Sequence, residues 1–276
     1  MYPRYISSFP VWRTGVRSEE ATSVQGGLTL LDLLNAYHQH PLFDHDACRA
    51  LAGLDEMISL YYALDMTRAV RALHEHGILH GDLKLDNFLL RFAEEDEDID
   101  AEDKTIHVCG GGDLDLYLEK NGITLIDFGR AIDLHCFSSP VQRSSVQFLQ
   151  DDNPRCIANS STSPVADCPS QRAGKPWSYD LDYAGLAGCF HMLLHHAPIT
   201  YQDGDPVLPK TLPLRRYWQC DLWTNIFKQL LDPMNATGTC VLATIESSIR
   251  QVLVDKRHKF RAALRRHEIF LLEHLS

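Results

Sequence analysis

The sequence predicts a mainly helical α+β domain with a few short strands. Three observations carry that expectation. From Leu54 to His76, the residues Leu54, Met57, Ile58, Tyr61, Leu64 and Leu73 recur at helical spacing, and Gly77 stands where a helix stop belongs. Phe88-Leu89-Leu90 and Ile123-Thr124-Leu125-Ile126 are apolar runs of strand length on either side of an insertion. From Thr239 onward there is neither Gly nor Pro, so the chain finishes in one or two helices.

The remaining elements follow in order. Residues 1–26 show no clear period, contain Pro, Ser, Arg and Gly, and read as irregular with room for one short strand. Thr29 to His38 reads as a helix with Leu30, Leu31, Leu33 and Leu34 on its apolar face, Thr29 as its cap and Pro41 beyond its end. The insertion spans about 92–121 and holds an acidic run from Glu94 to Asp103. That run reads as a solvated loop, because it lacks the Gly and terminal Glu of an EF-hand calcium loop. Ser138 to Arg172, rich in Ser, Pro, Asn and Asp, reads as a long irregular segment. Asp182 to His195 is apolar enough to be a helix buried on most sides, and Leu222 to Leu231 puts Trp223, Phe227 and Leu230 on one helical face. Lys256, Arg257, Lys259, Arg261, Arg265 and Arg266 make the last segment basic, which reads as a solvated helix face or a docking surface for an acidic partner.

Composition bounds the function. A chain of 276 residues with 45% apolar content has material for one large domain or two small ones. A formal net charge of −11 argues against general nucleic-acid binding. No apolar run is long enough to cross a bilayer, and the start Met1-Tyr2-Pro3-Arg4 lacks the form of a signal peptide. The eight cysteines are scattered with no Cys-x-x-Cys pair, which reads as reduced intracellular thiols. His38, His40, His45 and Cys48 fit no common zinc spacing and read as a polar loop.

The chemistry sits in His80-Gly81-Asp82-Leu83-Lys84-Leu85-Asp86-Asn87 and in Asp127-Phe128-Gly129. An Asp two residues before a Lys and five before an Asn suits one loop that meets a hydroxyl, a phosphate and a metal. Asp82 can accept a hydrogen bond from a substrate hydroxyl, and Lys84 can offer its ammonium to a transferred phosphate. Asn87 and Asp127 carry the hard oxygen ligands that magnesium prefers, and Gly129 lets the backbone turn after Asp127.

At these residues the chain resembles a eukaryotic protein kinase. The resemblance implies ATP and Mg2+ as cofactors, Asp82 as catalytic base with Lys84 beside it, Lys84, Asn87 and Asp127 as cofactor-binding residues, and Asn87 and Asp127 as the metal ligands. Lys two places after the catalytic Asp is the serine/threonine pattern. Asp182 matches the buried Asp of the central helix that braces the catalytic loop, and His80 and Phe128 match the stack that links the two motifs. The ordered set Thr29-Leu30-Leu31-Asp32, His80-Gly81-Asp82, the acidic insertion, Ile126-Asp127-Phe128-Gly129, Lys175-Pro176-Trp177-Ser178-Tyr179, Asp182-Tyr183, Arg215-Arg216 and Asp221-Leu222-Trp223-Thr224-Asn225-Ile226-Phe227 looks like the Bub family of spindle-assembly-checkpoint kinases, which includes Mad-type pseudokinase relatives. That implies a protein-kinase-like α+β fold, with residues 1–26 an irregular remnant of the N-lobe and hinge and residues 27–276 a C-terminal lobe. It further implies phosphorylation of protein Ser or Thr, kinetochore and checkpoint proteins and chromatin protein as partners, no direct nucleic acid or membrane, and a nuclear, kinetochore setting, with the cytoplasm otherwise.

The sequence also departs from an ordinary kinase. Gly81 stands where Arg usually pairs with an activation-loop phosphate, so switching by that route is lost and the resemblance implies an activation segment held by packing. The usual Ala-Pro-Glu is absent, with Asp167-Cys168-Pro169 a poor stand-in. No Lys precedes Lys84, and Gly15, Gly26, Gly27, Gly53 and Gly77 form no Gly-x-Gly-x-x-Gly. The expectation is an N-terminal lobe largely absent, through a truncated reading frame or genuine loss, and a lobe inactive alone. Two alternatives stand beside the kinase reading. One is a catalytically dead scaffold at the kinetochore. The other is a small-molecule phosphotransferase of the aminoglycoside or choline kinase type, which shares His-Gly-Asp-Leu but usually lacks Lys at position 84.

Overall fold

The starts of the first two helices are fixed by side chains that satisfy the first free backbone N–H groups. In the computed structural model, which describes residues 12–13, 16–17, 27–39, 53–91, 114–115, 118, 121–136, 178–202, 208–232 and 240–274, helix α1 runs over Leu30–Gln39. Thr29 and Asp32 cap it reciprocally: Thr29 Oγ1 accepts from Asp32 N at 3.1 Å, and Asp32 Oδ2 accepts from Thr29 N at 2.9 Å. Helix α2 runs over Glu56–Glu75, with Asp55 accepting from Met57 N at 2.9 Å. It ends at Gly77, whose φ of 67° is open to glycine and whose N–H returns to His74 O.

Helix α2 is the spine of the lobe. Met57, Ile58, Leu60, Tyr61, Leu64, Val70 and Leu73 are all buried, and α2 packs against α3 (Asp180–His195), α5 (Cys240–Asp255) and α6 (Arg257–His274). Helix α3 is buried on nearly every side, as its mostly apolar sequence beyond the first turn requires. Helix α4 (Cys220–Leu231) turns Trp223, Ile226, Phe227 and Leu230 inward against α3 and α5. Both α3 and α4 begin two residues before the apolar pattern does, because their first turns are polar.

The strands form four antiparallel two-stranded sheets among the described residues. Strands β3 (Ile78–Leu79) and β6 (Ile132–Asp133) pair with each other, and β4 (Phe88–Leu90) pairs with β5 (Ile123–Leu125) with Phe88 opposite Leu125. Asp65 on α2 accepts from Ile123 N at 2.8 Å and so fastens β5 to the helical core. The N-terminal segment contains two strands, β1 (Trp12–Arg13) and β2 (Val16–Arg17), where the sequence leaves room for one. A hairpin of β7 (Thr200–Gln202) and β8 (Leu208–Lys210) follows α3.

Residues 114–115, 118 and 121, at the end of the expected insertion, are helical, and Leu114 and Leu118 are buried in the core. The acidic run Glu94–Asp103, the Ser138–Arg172 segment with Asp167-Cys168-Pro169, the Lys175-Pro176-Trp177 block, and His40, His45 and Cys48 lie outside the described residues. His38 is exposed on α1, with its ring edge-on to His196. Cys136, Cys189, Cys220 and Cys240 are free thiols. Among the described residues no helix is long and apolar enough to cross a membrane, and no three His, Cys, Asp or Glu side chains gather as a metal cluster.

Candidate active site

The loop between β3 and β4 is held from below by one carboxylate. Asp182, in the first turn of α3, is fully buried. Its Oδ1 accepts from Gly81 N at 2.9 Å, and its Oδ2 accepts from His80 N at 2.9 Å and from His74 Nε2 at 2.8 Å. Burial alone would raise the carboxyl's pKa, yet the His74 hydrogen bond and charge and the Gly81 amide outweigh it and hold Asp182 below the usual carboxylate range. A buried anion with three donors stays charged and fixes the direction of the two backbone amides just ahead of Asp82.

His80 joins the two motifs. Its Nε2 donates to Ile126 O at 2.9 Å, which leaves Nδ1 to accept from Asp82 N at 3.3 Å. Its ring meets Phe128 edge-on, with centroids 5.1 Å apart. Asn87 ties the same segments a second time: its Nδ2 donates to Asp82 O at 2.8 Å, and its backbone O accepts from Ile126 N at 2.9 Å. Leu83 sits against Gly185 of α3, where a Cβ would lie 2.8 Å from the Leu83 Cβ, so loop and helix touch through a residue without a side chain.

On this frame Asp82 Oδ2 lies 3.4 Å from Lys84 Nζ. Lys84, Asp82 and Asn87 thus share one loop, with the short 3-10 turn Leu85–Asn87 between the lysine and the asparagine amide. Asp127 sits next to Ile126 on the partner segment in the left-handed conformation (φ 61°, ψ 68°), its Oδ1 accepting from Gly129 N at 3.3 Å. Asp127 is exposed and Asn87 is buried. With Nδ2 committed to Asp82 O, the Asn87 side chain offers Oδ1 as its acceptor. An amide oxygen and a carboxylate, both hard donors, fit a magnesium ion that keeps water and phosphate oxygens as its other ligands.

Two contributors carry no local signal in the sequence. His74 lies at the end of α2 and reaches Asp182 across 108 positions. Arg130, one place beyond Asp-Phe-Gly, brings Nη1 to 3.5 Å from Asp82 Oδ1. Its place directly after the second motif is the one hint available.

No protein-family model matches the sequence. The chain is 34% identical over 210 residues to the spindle assembly checkpoint serine/threonine-protein kinase bub1 of Schizosaccharomyces pombe, covering 74% of this chain and 17% of that protein. It is 32% identical over 222 residues to BUB1 of Saccharomyces cerevisiae, covering 78% of this chain and 19% of that protein. It is 29% identical over 212 residues to the mitotic checkpoint serine/threonine-protein kinase BUB1 of Arabidopsis thaliana, covering 74% of this chain and 34% of that protein. The chain thus spans under a fifth of the length of the two yeast relatives. Its fold matches the crystal structure of the BubR1 kinase domain with a TM-score of 0.59 at 24% identity, over 88% of this chain and 60% of that one. Sequence kinship over most of its length and the fold of a kinase C-terminal lobe agree: the chain belongs to the Bub family of protein kinases.

Proposed function

We propose that this chain is the catalytic lobe of a serine/threonine protein kinase of the mitotic spindle-assembly checkpoint. In this reading residues 27–276 form the C-terminal lobe, and residues 1–26 are an irregular remnant of the N-lobe and hinge. The observation that carries it is the Asp82 carboxylate, with Lys84 at 3.4 Å, on a loop braced by Asp182. Family kinship supports ATP and Mg2+ as cofactors, and Asn87 and Asp127 would hold the metal, which neutralises phosphate charge when bound.

The chain's own groups then have defined tasks. Asp82 accepts the proton of a substrate Ser or Thr hydroxyl and keeps its oxygen in line. That oxygen bonds to the γ-phosphorus of ATP as the bond to the β,γ-bridging oxygen breaks and ADP leaves. Lys84 offers its ammonium to the phosphoryl oxygens, where negative charge is concentrated. His80 and Asn87 keep Asp82 and the Asp127 segment in one rigid unit, so that proton acceptor and metal ligands move together. The names of the relatives support a mitotic-checkpoint context. In this reading the partners are checkpoint and kinetochore proteins, chromatin protein among them, and the setting is the nucleus, as the family resemblance implies.

The test is phosphotransfer from ATP to a protein substrate by the native full-length protein. Asp82→Asn is expected to lower kcat by about 10²- to 10⁴-fold while ATP binding survives. Asp127→Asn is expected to weaken magnesium-ATP binding as well. Wild-type transfer by Asp82→Asn removes the role given to Asp82. A folded wild-type protein with no magnesium-dependent transfer leaves the lobe as a binding platform.

A further inference from the structure

Asp82 faces a cation at each carboxylate oxygen. Lys84 Nζ is 3.4 Å from Oδ2, and Arg130 Nη1 is 3.5 Å from Oδ1. The two cations come from different segments, Lys84 from the loop itself and Arg130 from the end of the 3-10 turn Phe128–Arg130. The side chain of Asp82 is 7% exposed and that of Arg130 31%, so the pair is screened only in part.

The approach of Arg130 depends on the residue before Asp82. Gly81 has φ 79°, the left-handed region. A Cβ there would lie 2.6 Å from Arg130 O and 3.5 Å from Arg130 Cβ, so any side chain at position 81 pushes the Arg130 backbone away. Position 81 carries no cation of its own. The space its glycine leaves is filled by the backbone of the residue that brings one.

We propose that Arg130 is a positioning residue for Asp82. Its guanidinium holds Oδ1 and leaves Oδ2, on the Lys84 side, to accept the hydroxyl proton, while Gly81 supplies the room for Arg130 to approach. The catalytic consequence rests on the kinase reading; the ion pair does not.

Two measurements on the full-length protein test this. In phosphotransfer, Arg130→Ala is expected to lower kcat by about tenfold to a hundredfold with KM for ATP unchanged, since a misplaced reacting group costs rate and leaves binding intact. Added guanidinium at millimolar concentration should restore part of that kcat and none of the activity lost in Asp82→Asn. An unchanged kcat, or a loss that guanidinium does not touch, overturns the positioning role while leaving the kinase reading in place. The second measurement needs no activity. A thermal-unfolding cycle of Arg130→Gln, Asp82→Asn and the double variant should be non-additive, the double variant no less stable than the worse single one. Strict additivity removes the pair, whether or not the protein transfers phosphate.

Discussion

The two ends of α3 are fastened by different forces. At its C-terminal end Phe190 packs edge-on against the fully buried Trp223 of α4, with ring centroids 6.2 Å apart, and Leu193 and Leu194 join the same apolar cluster. At its N-terminal end Asp182 reaches up to the loop that carries Asp82 and takes three hydrogen bonds. Apolar contact is non-directional and rewards any arrangement that fills space. A carboxylate with three donors rewards one arrangement only. The helical base therefore supplies stability, and the polar end converts it into position for Asp82. A substitution at each end should separate the two.

The largest effect on stability belongs to the base. Trp223→Ala removes a fully buried indole, together with its Nε1 hydrogen bond to Glu56 Oε1 at 3.2 Å. The expected cost is about 3–5 kcal/mol in denaturant unfolding. Transfer per folded molecule should stay near wild type, because the indole's ring and hydrogen-bond neighbours Phe190, Phe227 and Glu56 belong to α3, α4 and α2 and not to the loop. A loss under about 1 kcal/mol would mean that α3 and α4 are not held by this contact.

Asp182→Asn should invert that ratio. The amide keeps one acceptor and places an NH2 where the native residue accepts, so either Gly81 N, or both His80 N and His74 Nε2, lose their partner. One buried unsatisfied donor costs about 1–3 kcal/mol. The loss of phosphotransfer should be far greater than that of Trp223→Ala, since the amides that aim Asp82 are those released. Equal activity losses at equal unfolded fraction would show that the two ends of α3 do the same work.

The same division governs what the sequence discloses. Helices α2 and α4 are legible because their period is local: each buried residue is three or four places from the next. Asp82, Lys84 and Asn87 are legible for the same reason, and Asp182 through the family pattern. The pairings that finish the site are not. His74 and Asp182 are 108 positions apart, and the space that Gly81 leaves for Arg130 depends on how two separate segments cross. Strands β1 and β2 are two residues each, too short for alternation to register, and Pro209 in β8 disguises the β7–β8 hairpin. Leu114 and Leu118 show a further limit: an acidic stretch obscures the apolar residues that return the chain to the core.

The smallest expected effect sharpens the comparison by placing a polar group inside the apolar base. His267 of α6 is almost wholly buried between two tyrosines, Tyr37 of α1 on Nδ1 at 2.8 Å and Tyr62 of α2 on Nε2 at 2.7 Å. A neutral ring satisfies both, donating to one hydroxyl and accepting from the other. Unlike His74, it has no carboxylate partner in that network, and burial pushes its pKa down to about 3. The unfolded chain takes up the proton near pH 6.5 and the native protein does not, so this group's contribution is whole above that pH and is lost as pH falls toward 3. The slope rises toward about 1.4 kcal/mol per pH unit in that window, which gives about 1 kcal/mol between pH 6.5 and 5.5. His267→Gln retains a side chain that can bond a tyrosine but cannot titrate. Its unfolding free energy plotted against pH should be flatter than wild type by one proton over pH 5–6.5, while His191, His195 and His196, also held below the usual range by burial, contribute equally to both proteins and cancel. Parallel slopes would mean that His267 is already protonated in the native protein, and the base would then hold a buried charge, as the Asp182 end does.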